Sequence, residues 1–209
     1  MVEGFPADDP VGAFVAALGV SKDDRLARQL VTSAADLLRS RPATLDLKIA
    51  GAALQEMHEA FEVFAPYRGR DKVTIFGSAR TSSDDPLYAA AQRVAAQLAA
   101  HGWMCVTGAG PGIMQAGMEG AGREMSIGVS IRLPFEQGAN PVIAGDEKYV
   151  SMKYFFTRKL MLVKESQAFV CLPGGFGTLD ETFELLTLTQ TGKGLPVPIV
   201  LLDTPGDPY

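Results

Sequence analysis

Short apolar runs alternate with helix-type segments along most of this chain, and this alternation limits its possible folds more than any other feature. The runs begin at Val73, Trp103, Ile127, Ala168 and Val197, and each is nearly continuous in apolar residues. Strands that are buried on both faces of a parallel sheet have this composition, because helices cover both sides. The sequence therefore predicts an α/β fold with a parallel sheet flanked by helices.

The helix-type segments divide the chain into two predicted parts. Helices are expected at 23–41 and 45–64, before the first strand, and at 84–100, 113–124, 152–166 and 178–191 between strands; 142–144 is expected to add a short strand. We therefore predict an N-terminal helical extension over 1–70 and an α/β domain over 71–209. The chain ends soon after its last predicted strand, where a covering helix is expected, so the domain is predicted to be C-terminally shortened.

Composition and charge narrow the classes of protein that fit. Apolar residues make up 47% of the 209 residues and charged residues 21%, which is typical of a globular protein. The net charge of −5 argues against nucleic acid or an anionic membrane as a partner. Cys105 and Cys171 lie in apolar runs and are interpreted as reduced core thiols; no metal-ligand spacing is present. Without a secretory pattern or a long apolar run, the sequence predicts a soluble cytoplasmic protein.

Three glycine-bearing turns each follow a predicted strand, so we expect them at one edge of the sheet. In the strongest, Pro173–Glu181, three glycines allow close backbone approach, and the helix predicted from Thr178 would offer free N–H groups to a phosphate. The turn Gly108–Gly112 lacks both the dinucleotide spacing and a Gly-Lys-Ser/Thr sequence, which disfavours nicotinamide or ATP. The third turn, Gly77–Arg80, either offers the Ser78 hydroxyl and the Arg80 guanidinium to a ligand or is a plain polar loop, and the sequence favours neither interpretation.

The charged residues near these turns have two interpretations each. Glu181 follows Thr178 at capping-box spacing, which favours a helix cap; alternatively it faces a ligand and stabilises positive charge or orients a water. Arg158 and Lys159 lie in the middle of an apolar helix, either on a solvated face or in contact with an anion.

The stretch Pro173-Gly-Gly-Phe-Gly-Thr-Leu-Asp-Glu181, preceded by Met152-x5-Arg158-Lys159, resembles the Lonely Guy (LOG) family. Members are phosphoribohydrolases of cytokinin riboside monophosphates and related nucleotides, and older usage called them lysine decarboxylases. The resemblance covers about Lys72 to Asp203. It implies a Rossmann-like sheet, a homodimer or larger homo-oligomer, a nucleoside monophosphate pocket near the subunit interface, and no metal or redox cofactor.

The resemblance also implies roles for individual residues. Arg158 and Glu181 match the catalytic pair. The expected substrate and phosphate contacts are Gly174, Gly175, Gly177, Thr178, Gly110, Gly112, Ser78, Lys159 and Met152. Asp180 departs from the glutamate of many members, and compact members lack the N-terminal helices. The implied reaction splits AMP or a cytokinin riboside monophosphate into free base and ribose 5-phosphate. A non-catalytic nucleotide sensor or carrier on the same site is the alternative, although the presence of both Arg158 and Glu181 favours an enzyme.

Overall fold

The computed structural model describes residues 9–20, 24–133, 138–194 and 196–204. Its helices are α1 (Pro10–Ala17), α2 (Asp24–Arg39), α3 (Thr44–Phe64), α4 (Pro86–Ala100), α5 (Ile113–Ala121), α6 (Phe155–Lys164) and α7 (Phe176–Gln190). Its strands are β1 (Lys72–Phe76), β2 (Met104–Thr107), β3 (Ser126–Ile131), β4 (Tyr149–Met152), β5 (Ala168–Cys171) and β6 (Ile199–Leu201). Short 3-10 helices span Ala65–Tyr67 and Arg123–Met125. The end of the chain, 205–209, lies outside the described residues.

The strands form one six-stranded sheet in the order β4-β3-β2-β1-β5-β6. Every neighbouring pair is parallel, which confirms the predicted fold class. From β1 the chain moves outward to β4 and then returns to β5 on the other side of β1. The carboxyl end of β1 therefore lies at the point where the winding changes direction, and open α/β sheets bind ligands there.

Both faces of the inner strands are buried, which explains why these strands are nearly continuous apolar runs. On one face, Phe76 and Phe169 belong to a cluster with Phe64 of α3 and Met161 of α6. On the other face, Ile75 packs with residues of α4 and α5. Cys105 and Cys171 are buried free thiols, as predicted, and burial raises the pKa of Cys105 to about 12.

The chain forms two compact units, of which one ends at Gly51 and the other begins at Ala52. The division falls inside α3, and the sequence pattern predicts a boundary at 70/71. In the second unit, Ala60 and Phe64 of α3 are almost completely buried in the apolar cluster of the sheet. The C-terminal half of α3 is thus part of the α/β unit. Within the described ranges, none of the helices is both long and apolar enough to cross a membrane.

Two predictions around β4 are wrong. Residues 142–144 form turns, because Val142 donates its N–H to the Asn140 side chain and Ile143 packs against Ala109 in a small apolar cluster. The fourth strand is β4, an edge strand whose residues alternate between buried and half-buried positions, unlike the nearly continuous buried runs of the inner strands. The helix predicted over 152–166 begins only at Phe155, so Met152 belongs to β4.

Candidate active site

A cavity of about 890 Å³ opens at the carboxyl edge of the sheet. All three glycine-bearing turns contribute to its wall, as their positions after β1, β2 and β5 predict. Eight of the residues singled out from the sequence line it: Ser78, Gly110, Arg158, Gly174, Gly175, Gly177, Thr178 and Glu181. The volume lies within the range of pockets that bind small molecules.

Glycines allow the turns to pack closely against one another. A Cβ atom on Gly174 would lie 2.2 Å from Oγ1 of Thr178 and 3.0 Å from the backbone nitrogen of Ser78. That nitrogen donates a hydrogen bond of 3.3 Å to the carbonyl of Pro173. Gly112 has a φ of +66°, and a Cβ there would lie 2.3 Å from the carbonyl oxygen of Ser78. Gly112 is not among the described lining residues; it supports the Ser78 turn from behind.

The amino end of α7 is suited to an anion. The helix begins at Phe176, its N-cap is Gly175, and no described side chain caps it. Its first turn has no acidic residue, so free N–H groups and the positive end of the helix dipole remain for a ligand. Phosphate is the common biological ligand with matching charge and acceptors.

The capping-box interpretation of Thr178 and Glu181 is wrong. Because α7 begins two residues before Thr178, this threonine lies inside the first turn instead of at the cap. The carboxylate of Glu181 turns to Arg158, with 2.8 Å between Oε1 and Nη1.

The Arg158 side chain, which contacts this carboxylate, is itself buried. The residue is only 8% exposed, and its Nε donates a 3.0 Å hydrogen bond to the carbonyl of Val129. A Cβ on Gly108 would lie 2.2 Å from Nη2 of Arg158. Glycine at position 108 therefore leaves the space that the guanidinium occupies. Arg158 therefore does not lie on a solvated helix face, which is one of its two possible interpretations from the sequence.

Burial raises the pKa of Glu181 above its ordinary value of 4.5, and the charge and hydrogen bond of Arg158 oppose this rise. A carboxylate of raised basicity accepts a proton more readily from a bound water. Held by arginine beside an anion site, it can also stabilise positive charge that develops on a substrate.

Two predicted contacts lie away from the cavity. Met152 has no exposed surface and packs in the apolar cluster of the sheet. The Lys159 ammonium pairs with Asp180 at 3.0 Å and also with Glu184. Asp180, where many members of the LOG family have glutamate, thus has a partner of its own on α6. Neither Met152 nor Lys159 is among the described residues that line the cavity.

The wall of the cavity that β3 and β4 form is not predicted from the sequence. It contains Ser130 and Arg132 at the end of β3, and Tyr149 and Ser151 of β4. The Ser130 and Tyr149 hydroxyls are 2.7 Å apart, and Nη2 of Arg132 donates to the Ser151 carbonyl at 2.8 Å. The sequence does contain a signal for this wall, namely polar residues at the ends of two strands. It can be used only when β4 is recognised as a strand. The described residues contain no group of three or more potential metal ligands.

The fold and the site together define a parallel α/β protein with a cavity at the carboxyl edge of its sheet, lined by glycine turns, the uncapped start of α7 and a largely buried arginine–glutamate pair. Sequence comparison agrees with this class: the family described as "Possible lysine decarboxylase" matches residues 111–209. "Probable cytokinin riboside 5'-monophosphate phosphoribohydrolase LOGL1" of Oryza sativa subsp. japonica is 30% identical over 156 residues, which is 71% of this chain and 68% of that protein. The chain belongs to the LOG family.

Other relatives match over shorter stretches. The Arabidopsis thaliana protein "Probable cytokinin riboside 5'-monophosphate phosphoribohydrolase LOG6" is 36% identical over 81 residues, which is 39% of each chain. Among solved structures, the Moco carrier protein of Chlamydomonas reinhardtii superposes with a TM-score of 0.43 and 23% identity, over 64% of this chain and 76% of that one.

Proposed function

We propose that this protein hydrolyses the N-glycosidic bond of a nucleoside 5′-monophosphate, releasing a free base and ribose 5-phosphate. The observation that carries the proposal is the largely buried Arg158–Glu181 pair, which lines the same cavity as the uncapped amino end of α7. The names of the relatives as cytokinin riboside 5′-monophosphate phosphoribohydrolases support this class of reaction. AMP and cytokinin riboside monophosphates are the substrates we propose.

In this mechanism, the 5′-phosphate binds at the turn Gly174–Thr178. Backbone N–H groups at the start of α7 donate to it, and Ser78 and Gly110 line the adjoining wall. Binding energy from the phosphate, which does not react, holds the ribose in place beside Glu181.

The chemical step breaks the bond between C1′ and the base nitrogen, and positive charge develops on the ribose ring. The Glu181 carboxylate stabilises this charge and accepts a proton from the attacking water. The water oxygen bonds to C1′, and the electron pair of the broken bond leaves with the base nitrogen. The base takes up one proton from solvent, and Glu181 returns to solvent the one that it accepted, so the net reaction consumes one water. Arg158 holds Glu181 through its 2.8 Å contact and can donate to the substrate from Nη2.

We further propose that the protein works as a homo-oligomer in which a second copy covers the aromatic face of α6 and α7. Phe155, Phe156 and Phe183 are more than half exposed, and Phe176 is 93% exposed. Phe176 also lines the cavity, so the face continues directly into the wall of the site. Self-association would remove this face from water and complete the wall on that side.

The experiment incubates purified protein with AMP, other nucleoside monophosphates and isopentenyladenosine monophosphate, and follows base release by chromatography. Glu181→Gln removes the carboxylate, and Glu184→Gln on the same helix is the matched control, because Glu184 pairs with Lys159 outside the cavity. Base release by the wild type and by Glu184→Gln, but not by Glu181→Gln, supports the proposal. Nucleotide binding without any base release supports the sensor or carrier function instead.

A further inference from the structure

One buried acidic residue has no part in the chemistry proposed above. Glu56 lies on α3 and is only 4% exposed, and both of its carboxylate oxygens accept hydrogen bonds. Oε1 accepts the backbone N–H of Lys153 at 2.6 Å. Oε2 accepts the Thr157 hydroxyl at 2.6 Å and the backbone N–H of Tyr154 at 3.4 Å. These three donors surround the start of α6.

The start of α6 lacks an acid of its own. Its N-cap, Tyr154, makes no side-chain capping hydrogen bond, and its first turn contains no acidic residue. Backbone N–H groups at and before a helix start need acceptors, and a negative charge there interacts favourably with the helix dipole. Glu56 provides the acceptors and the charge from a helix about a hundred positions earlier in the chain.

This contact bears directly on Arg158, which follows Thr157 in the sequence. The guanidinium of Arg158 meets two fixed groups, the Val129 carbonyl on β3 and the Glu181 carboxylate on α7. It reaches both only if α6 begins at the right residue and with the right rotation about its axis. Glu56 holds the backbone before the helix and a side chain in its first turn, and thereby fixes both properties.

We propose that Glu56 is a positioning residue, which anchors the start of α6 so that Arg158 meets Glu181. Its effect on turnover rests on the proposed function, whereas its effect on the placement of Arg158 does not. The proposal also gives the C-terminal half of α3 a role in the site, although none of its residues is among the described lining of the cavity.

Glu56→Gln tests the proposal with almost no change in size. The amide keeps one acceptor oxygen, but in either orientation its NH₂ group faces the backbone N–H of Lys153 or of Tyr154, so at least one hydrogen bond is lost. We expect kcat for AMP to fall about tenfold or more, with KM changed less than about threefold, because misplaced catalytic groups lower rate more than phosphate binding. Glu62→Gln, an exposed residue on the same helix, is the matched control and should behave as wild type.

Thr157 provides a second test that leaves the carboxylate in place. Thr157→Val removes the hydroxyl that donates to Glu56, and Thr157→Ser retains it. We expect Val to lower kcat and Ser to restore it. Valine has nearly the same shape as threonine, so near-ultraviolet circular dichroism of both variants should match the wild type, although Thr157→Val should melt at a lower temperature because a buried carboxylate loses a donor. A native spectrum together with a lowered kcat separates positioning from loss of fold.

A readout without turnover completes the test. The Nε–H resonance of Arg158, assigned by its loss in Arg158→Lys, should be shifted and protected from exchange in the wild type and in Glu62→Gln. It should lose protection in Glu56→Gln. An unchanged resonance together with unchanged kcat in Glu56→Gln would overturn the proposal. If the wild type releases no base at all, the proposed function fails, and the resonance alone decides the role of Glu56.

Discussion

Replacing Gly108 by alanine should impair the site without replacing a catalytic side chain. The added Cβ would lie 2.2 Å from Nη2 of Arg158 and 2.8 Å from Sδ of Met114. Ordinary carbon–nitrogen contacts need well over 3 Å, so the guanidinium must retreat by about 1 Å or more. The retreat would lengthen its hydrogen bonds to Glu181 and to the Val129 carbonyl, which are now 2.8 and 3.0 Å.

A displacement of this size lowers the rate of an enzyme about a hundredfold. This corresponds to about 2.7 kcal/mol of lost transition-state stabilisation. The assay is kcat/KM for base release from AMP. Gly110→Ala is the control in the same turn, because its Cβ would meet mainly the flexible end of Met114, at 2.6 Å, and we expect at most a few-fold loss. Equal activity of Gly108→Ala and wild type would refute the placement of Arg158 on which this reasoning depends.

Three further predictions follow from the site and its surroundings. Since burial raises the pKa of Glu181 above 4.5 and the base must be deprotonated, kcat/KM should fall as pH drops through this raised pKa; a pH profile with its acid limb at or below 4.5 would contradict this. Lys159→Met should change kcat/KM less than about threefold and stability by less than about 1 kcal/mol, because the lysine forms partly exposed ion pairs outside the cavity; a large rise in KM would instead show that it binds substrate. Phe183→Glu should shift the protein to a smaller species in size-exclusion chromatography with light scattering, and an unchanged mass, or a monomeric wild type, would rule out the α6–α7 face as the contact.

Much of the fold was predictable because burial on both faces leaves a simple pattern. Strands such as β1 and β5 are nearly continuous apolar runs followed by glycine turns, and the helix predicted over 84–100 forms as α4, which Asp85 caps by accepting the N–H of Leu87. The edge strand β4 has no such run, since it is only half-buried, and the sequence pattern therefore predicts its last residue, Met152, as the start of a helix.

The part of the site that is built from the turns after strands was predictable from the sequence. The shared edge of the glycine turns follows from parallel topology alone. The Arg158–Glu181 contact does not, because the spacing from Thr178 to Glu181 also fits a helix cap, and only the actual start of α7 at Phe176 decides between the two. Glu56 was not predictable, since nothing local to α3 indicates that its carboxylate meets the start of α6.

The most direct test measures binding and turnover of AMP by the same preparations of wild type and Glu181→Gln, with calorimetry for affinity and single-turnover base release for chemistry. The account predicts similar affinity, because the phosphate binds at the start of α7, and a loss of turnover of about a hundredfold or more in the variant. Base release by Glu181→Gln at the wild-type rate would contradict the central claim that this buried carboxylate performs the hydrolysis.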